Sequence, residues 1–310
     1  MTGSNENAWQ ALDLRVLRRV DSMISGDYEG LRIGVGSERE ELSRYQPGDD
    51  VRRIDWNITA RSAEPHVWRP RADNRLDTAV LVDTTPSMAF GTVADEKQEL
   101  AARIVAAVGV LTDAPGNTLR LVTFGADGMR WHRPERSRSA ASRAARHLLH
   151  DGSRSGGGAP SLADAVSTLG AQRGGPGLRV ILSDFLDPGG AHTAPFDWQT
   201  PMRRLAARHD VIVVEILDPR ELELPDVGAV VFVDPESGRQ RQVWTSDVRL
   251  RRRYRDAAAR HRADVAAAIT ASGADHLRAS TAGDWVRDLA RFLRERQRTR
   301  RVRGRGAMRR

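Results

Sequence analysis

Cysteine is absent from the 310 residues. That excludes disulfides, thiolate zinc sites, iron–sulfur clusters and a cysteine nucleophile. Lysine is almost absent as well: Lys97 stands alone among 49 basic residues, and the other 48 are arginine. A bias of that kind reads as a GC-rich genome rather than as phosphate recognition. No apolar run approaches the ~18 residues that a membrane span needs. The stretch Met1 to Gln10 is polar and lacks the hydrophobic region of an export signal. The expectation is a cytoplasmic chain. With 40% hydrophobic and 29% charged residues, there is enough apolar material for a sizeable core.

The net charge of +8 points first to nucleic acid, but its distribution does not. Residues Arg291 to Arg310 hold ten arginines and one acid, a net of +9, so the other 290 residues sum to −1. The basic charge belongs to a tail. Such a tail suits phosphates or an anionic lipid surface, where each basic residue contributes about 1 kcal/mol. From Arg298 to Arg310 it has no aromatic residue on which a base could stack.

Signatures of catalysis are missing. There is no H-E-x-x-H, no G-x-S-x-G and no Walker A sequence. His147 and His150 are three apart with no nearby acid to complete a site, so they read as surface or core histidines.

Several patterns are present. Leu12, Val16, Val20, Met23 and Ile24 have helical spacing, with a stop near Gly26. Leu31 to Trp68 is rich in turns and charge, and Pro47-Gly48 suits a type II turn. From Thr78 the chain alternates. Thr78 to Asp83, Leu119 to Phe124, Arg179 to Asp184 and Val211 to Val214 read as strands, and Gly128 to His132 as an antiparallel edge. Helices are predicted after Asp95, which with Gln98 forms a capping box, and over 139–149, 162–169 and 201–208. Gly152 to Gly158 reads as a flexible loop. Val230–Val233 and Gln242–Trp244 flank a hairpin turn. Asp247 opens a long helix; a strand at 276–279 and a helix at 284–296 follow. Continuous apolar strands alternating with helices predict an α/β fold with a doubly wound, mostly parallel sheet. The expected organisation is a helical segment over 1–29, a β-rich segment over 30–76, an α/β domain over 77–297 and an unstructured Arg-rich tail over 298–310.

Two predicted strands end in acids, Asp83 and Asp184. Ligands of such sheets bind beyond the carboxyl ends of the strands. In Asp83-Thr84-Thr85-Pro86-Ser87, an acid and two hydroxyls at alternate positions can face one point. An all-oxygen set of that kind suits Mg²⁺ or Ca²⁺. The alternative is that Asp83 and Asp184 cap loops through backbone N–H groups.

Asp83-x-Thr85-x-Ser87 resembles the D-x-S-x-S signature of von Willebrand factor A domains. More specifically, the chain resembles the bacterial family called domain of unknown function 58. Glu38-Arg39, Tyr45-x-Pro47-Gly48-Asp49-Asp50-Val51-Arg52-x-Ile54-Asp55-Trp56, Thr59-Ala60-Arg61, Val82-Asp83, Ser87-Met88, Ser183-Asp184-Phe185 and Leu224-Pro225 carry that likeness. It implies a von Willebrand factor A-like, Rossmann-like domain preceded by a β-rich segment. It also implies a non-enzymatic assembly or chaperone-adaptor role beside a MoxR-type AAA+ ATPase and its client proteins. It implies a metal-ion-dependent adhesion site, here Asp83, Thr85, Ser87 and Asp184 around Mg²⁺. The third loop departs from the pattern: Pro160 falls where threonine is usual, and Ser161 is a substitute pointing elsewhere.

Two readings fit Tyr45, Asp49, Asp50, Arg52, Asp55 and Trp56. One is a partner-binding surface anchored by Tyr45 and Trp56. The preferred one is a block internal to the domain, with its charges mutually satisfied and Trp56 in the core. The competing function is binding of nucleic acid or an anionic membrane by Arg298–Arg310, with peripheral membrane contact.

Overall fold

The structure, a computed structural model, describes residues 40–46, 50–62, 64–70, 76–92, 95–136, 143–148, 160–172, 174–186, 193–233 and 240–307. The helix expected over Leu12 to Ile24, the Pro47-Gly48 turn and the Gly152–Gly158 loop lie outside them.

The elements in chain order are β1 (Glu40–Arg44), α1 (Trp56–Ser62), β2 (His66–Pro70), β3 (Asp77–Asp83), α2 (Lys97–Leu111), β4 (Thr118–Gly125), β5 (Gly128–Trp131), β6 (Glu135–Arg136) and α3 (143–148). They continue with α4 (Leu162–Gly170), β7 (Leu178–Ser183), α5 (Gln199–Ala206), β8 (Asp210–Leu217), α6 (Pro219–Leu222), β9 (Ala229–Val233), β10 (Gln240–Trp244), α7 (Val248–Ala271), β11 (Asp275–Ser280) and α8 (Trp285–Ala307).

The central sheet has the order β11-β8-β7-β3-β4-β5, with β6 also on β4. Strands β11, β8, β7, β3 and β4 are parallel; β5 and β6 run antiparallel to β4. This is the doubly wound α/β fold that the apolar runs predict. Every residue of β7 and all but the first of β3 are buried, because helices cover both faces. One core half packs α2 and α8 against Val80, Val82, Val180 and Leu182. The other packs α4, α5 and α7 against Leu81, Ile181 and Val213. Alternate residues of each strand thus serve opposite layers. Gly177 lets β7 start beside β3: a Cβ there would lie 2.3 Å from the Asp77 carbonyl oxygen.

Three local expectations change. The box at the start of α2 is one residue later than Asp95–Gln98: Glu96 donates its backbone N–H to Glu99 at 3.2 Å. Asp95 is instead held by the Arg103 guanidinium, with Nη2 at 2.7 Å. The Arg-rich segment expected to be unstructured continues α8 as helix to Ala307. Trp56, preferred as core, is 70% exposed. Asp55 caps α1 by accepting from the backbone of Asn57 and Ile58, and Trp56 is the exposed first residue of that helix.

β1 and β2 form a separate antiparallel pair, and so do β9 and β10, the expected hairpin. Among the described residues no helix is long and apolar enough to cross a membrane.

Candidate functional site

Three neighbouring parallel strands, β3, β7 and β8, each run out into an acid at the same edge of the sheet: Asp83, Asp184 and Asp218. Two of them form one cluster with the hydroxyls of the β3 loop.

Asp83 closes the loop behind it. Its Oδ1 accepts from the Thr85 backbone N–H at 2.9 Å and from the Thr85 hydroxyl at 2.6 Å. Its Oδ2 accepts from the Ser183 hydroxyl across the β3–β7 pair at 2.7 Å. The Thr85 and Ser87 hydroxyls are 3.1 Å apart, and Ser87 donates to Asp184. Asp184 Oδ1 accepts from the Leu186 N–H at 2.9 Å. The structure therefore brings Asp83, Thr85, Ser87 and Asp184 together. Both sequence readings describe part of this: the carboxylates cap their loops and also share a site.

Ser161 is not among them. It caps α4, its hydroxyl accepting from Asp164 N–H at 3.1 Å and donating to the Asp164 carboxylate at 2.7 Å. His147 is exposed, its ring centroid 5.2 Å from that of His132; His150 lies outside the described residues.

The residue that sequence reasoning missed is Lys97. It opens α2, is 0% exposed, and donates from Nζ to Asp184 Oδ2 at 2.6 Å and to Glu221 of α6. The signal was available: a chain that uses arginine at every other basic position keeps one lysine. Arg262 of α7 adds a second cation from below, donating to the Asp184 carbonyl oxygen at 2.5 Å. The same guanidinium reaches Glu215 Oε1 at 3.3 Å, and Glu215 Oε2 takes His276 Nε2 and Arg278 Nε, each at 2.9 Å. A chain of polar contacts thus runs from the strand ends to β11.

These contacts divide the protonation states. Burial pushes the Asp83 carboxyl up to about 7, and the negative charge of Asp184 adds to it. Burial acts on Asp184 too, but the Lys97 ammonium holds its carboxyl below the usual range. Burial opposes the charge of Lys97, yet Asp184 and Glu221 keep the amine above its ordinary value. Burial raises Glu221, and Lys97 offsets that only in part.

Phe185 follows Asp184 with φ 58°, a left-handed conformation that costs a non-glycine residue about 1–2 kcal/mol. Packing holds it there, with its ring edge-on to Trp198 at 5.0 Å. The Ser183 hydroxyl accepts the Phe185 N–H at 3.0 Å, and the twisted chain returns Leu186 N–H to Asp184. Asp218 ties three loops together. It caps α6 through Arg220 N–H, and takes Thr92 N–H at 3.0 Å and the Thr281 hydroxyl at 2.8 Å.

The donor set has the oxygen chemistry of a divalent-ion site, but the arrangement does not fit such an ion. Asp83, Thr85, Ser87, Ser183 and Asp184 are at most 6% exposed, which leaves no open side for the waters Mg²⁺ keeps. The carboxylate of Asp184 already holds an ammonium.

Of the proposed partner-binding residues, Trp56, Arg52 and Asp50 are exposed and Tyr45 and Asp55 are half-buried. Asp50 caps a short 3₁₀ turn through Arg52 N–H at 3.0 Å. Asp49 lies outside the described residues.

Among solved structures, the chain is similar to the conserved hypothetical protein BatB from Bacteroides thetaiotaomicron. They share 13% identity and a TM-score of 0.43, over 71% of this chain and 98% of that one. It is also similar to the SpRpn10 VWA domain, with 12% identity and a TM-score of 0.37, over 69% and 93%. Closer in sequence is uncharacterized protein Rv1480 of Mycobacterium tuberculosis, 40% identical over 94% of this chain and 89% of that protein. Uncharacterized protein MAV169 of Mycobacterium avium is 44% identical over 44% of this chain and 76% of its own length. The profile of the family described as protein of unknown function DUF58 matches residues 41–264. The chain belongs to the DUF58 family.

Proposed function

We propose that this chain is a non-enzymatic docking module that presents the strand-end rim to a MoxR-type AAA+ ATPase and its clients. The observation that carries the reading is the state of the rim. Its acids are all engaged inside the protein, by hydroxyls, loop amides and Lys97, so the rim supplies a rigid shape rather than a reacting group. Phe90 is 41% exposed in the same β3 loop, its ring 5.9 Å from the Lys97 ammonium. An exposed aromatic on a rigid support is the kind of anchor that dominates protein interfaces.

A second surface has its own support. Trp56 at 70% and Val51 at 58% exposure make the family-specific segment an alternative anchor. Purified MoxR-type ATPase, titrated against the wild type, Phe90→Glu and Trp56→Ala, separates the two. The rim reading expects Phe90→Glu to weaken binding about tenfold or more, a loss of 1.4 kcal/mol, with Trp56→Ala nearly neutral. The opposite ranking moves the docking site to the α1 segment. Deleting Thr299–Arg310 leaves binding intact on either reading. If the full chain binds nucleic acid or anionic vesicles, and that deletion abolishes this binding and its salt dependence, the Arg-rich tail carries the function.

A further inference from the structure

We infer that the Lys97 ammonium is the resident cation of this rim, standing where an adhesion-type site would take a divalent metal. The inference concerns the ion at the site and stands whether or not the rim docks a partner.

Four observations converge on it. First, position: Lys97 Nζ lies 2.6 Å from Asp184 Oδ2, a carboxylate of the expected ligand set. Second, enclosure: the side chain is 0% exposed, so the charge serves the interior alone. Third, balance: the ammonium meets two carboxylates, Asp184 and Glu221, and Arg262 reaches the Asp184 carbonyl oxygen. The Asp184 carboxylate that a divalent ion would need already holds a cation. Fourth, residue type: the chain writes arginine at 48 basic positions and lysine at this one. A planar guanidinium needs a wide slot and aims its donors in one plane. An ammonium is a compact point charge with three donors spread in space, the nearest that a side chain comes to a metal ion. Composition drift does not explain one exception at the one position where that shape matters.

The consequence is a rim that holds its form without a metal. Chelators leave it unchanged, and a partner need not bring a carboxylate to complete a coordination sphere. Removing the ammonium exposes the site's latent chemistry: Lys97→Met leaves Asp184 and Glu221 facing a space from which a positive charge has gone, beside the Ser87 hydroxyl that donates to Asp184.

The test is calorimetric melting of the full chain in EDTA, in Mg²⁺ and in Mn²⁺, for the wild type, Asp83→Asn and Lys97→Met. The expected result is a wild type that melts at the same temperature in all three. Lys97→Met then rises by about 4 °C in Mn²⁺ at roughly a hundred times its Kd. A wild type stabilised by either ion, with the effect lost in Asp83→Asn, overturns the inference. So does a folded Lys97→Met that ignores both ions. Where Lys97→Met does not fold, Lys97→Met combined with Glu221→Gln removes one surplus carboxylate and is judged by the same shift. Mn²⁺ titration of the wild type by electron paramagnetic resonance needs no variant that lacks the lysine. One bound ion per chain, released in Asp83→Asn, overturns the inference; no bound ion supports it.

Discussion

Lys97→Met is expected to lower folding stability by about 3–5 kcal/mol near neutral pH, the usual cost of stranding buried charges by removing their partner. Methionine keeps the length and much of the apolar stem, so the loss reports the ammonium rather than a cavity. The stranded groups are Asp184, fully buried, and Glu221 beside it. The cost shrinks as pH falls, because both carboxyls then take up protons in the native state. It is largely recovered in the variant that also carries Asp184→Asn and Glu221→Gln, whose amides are neutral. Lys97→Arg retains the charge but forces a larger head into a closed space, an overpacking cost of about 1–3 kcal/mol. Denaturant unfolding of the four proteins measures all of this. A Lys97→Met protein within about 1 kcal/mol of the wild type at pH 7 would show that the buried pair contributes little.

Asp83→Asn is expected to act in the opposite direction. The folded protein raises the Asp83 carboxyl from 3.8 to about 7. The native state therefore binds a proton more readily than the unfolded chain, and between those values stability falls as pH rises. A shift of about three units corresponds to about 4 kcal/mol between the two ends of that window. Asparagine removes the charge and keeps the shape. Thr85 still donates twice to Oδ1, and Ser183, which donates to Oδ2 at 2.7 Å in the wild type, can accept from the new amide. The variant is expected to be more stable than the wild type above pH 7 and close to it at about pH 4. Asp184, Glu215 and Asp218 have depressed pKa values and contribute stability that is lost as pH falls through the acid range. Subtracting the two pH–stability curves cancels Glu215 and Asp218 and leaves Asp83 together with its interaction with Asp184. A difference curve that is flat from pH 4 to 7 would mean that Asp83 is ionised throughout.

Much of this architecture is legible in the sequence because its strands are buried on both faces. Val80-Leu81-Val82 and Val180-Ile181-Leu182 are short, β-branched-rich apolar runs that read as buried strands, and each leads into the acid that marks the rim. The gathering of Asp83, Thr85, Ser87 and Asp184 follows from local loop geometry plus one strand pairing. What is not legible depends on long-range contact. Lys97 meets Asp184 across 87 residues of chain and Glu221 across 124. In sequence it looks like any charged residue in the first turn of a helix. Its rarity was visible, but rarity alone carries no address. Asp95, which precedes α2, is held by Arg103 from within that helix, a contact that its local sequence does not announce. The residue pattern around Trp56 is as specific as an internal block would make it, which places the indole in the core on sequence alone. In the fold Asp55 caps α1 and the adjacent Trp56 side chain lies exposed.

The enclosure of the one lysine gives the folded chain an unusual chemical surface. With no thiol anywhere and its single ε-amine sealed under α6, the native protein offers acylating and crosslinking reagents none of their customary side-chain targets. Acetylation, ubiquitin transfer to a side chain and cleavage after lysine all have one address, and it opens only when the rim itself comes apart. The arrival of label at residue 97 is thus a clock for that opening, read by mass spectrometry without any engineered probe.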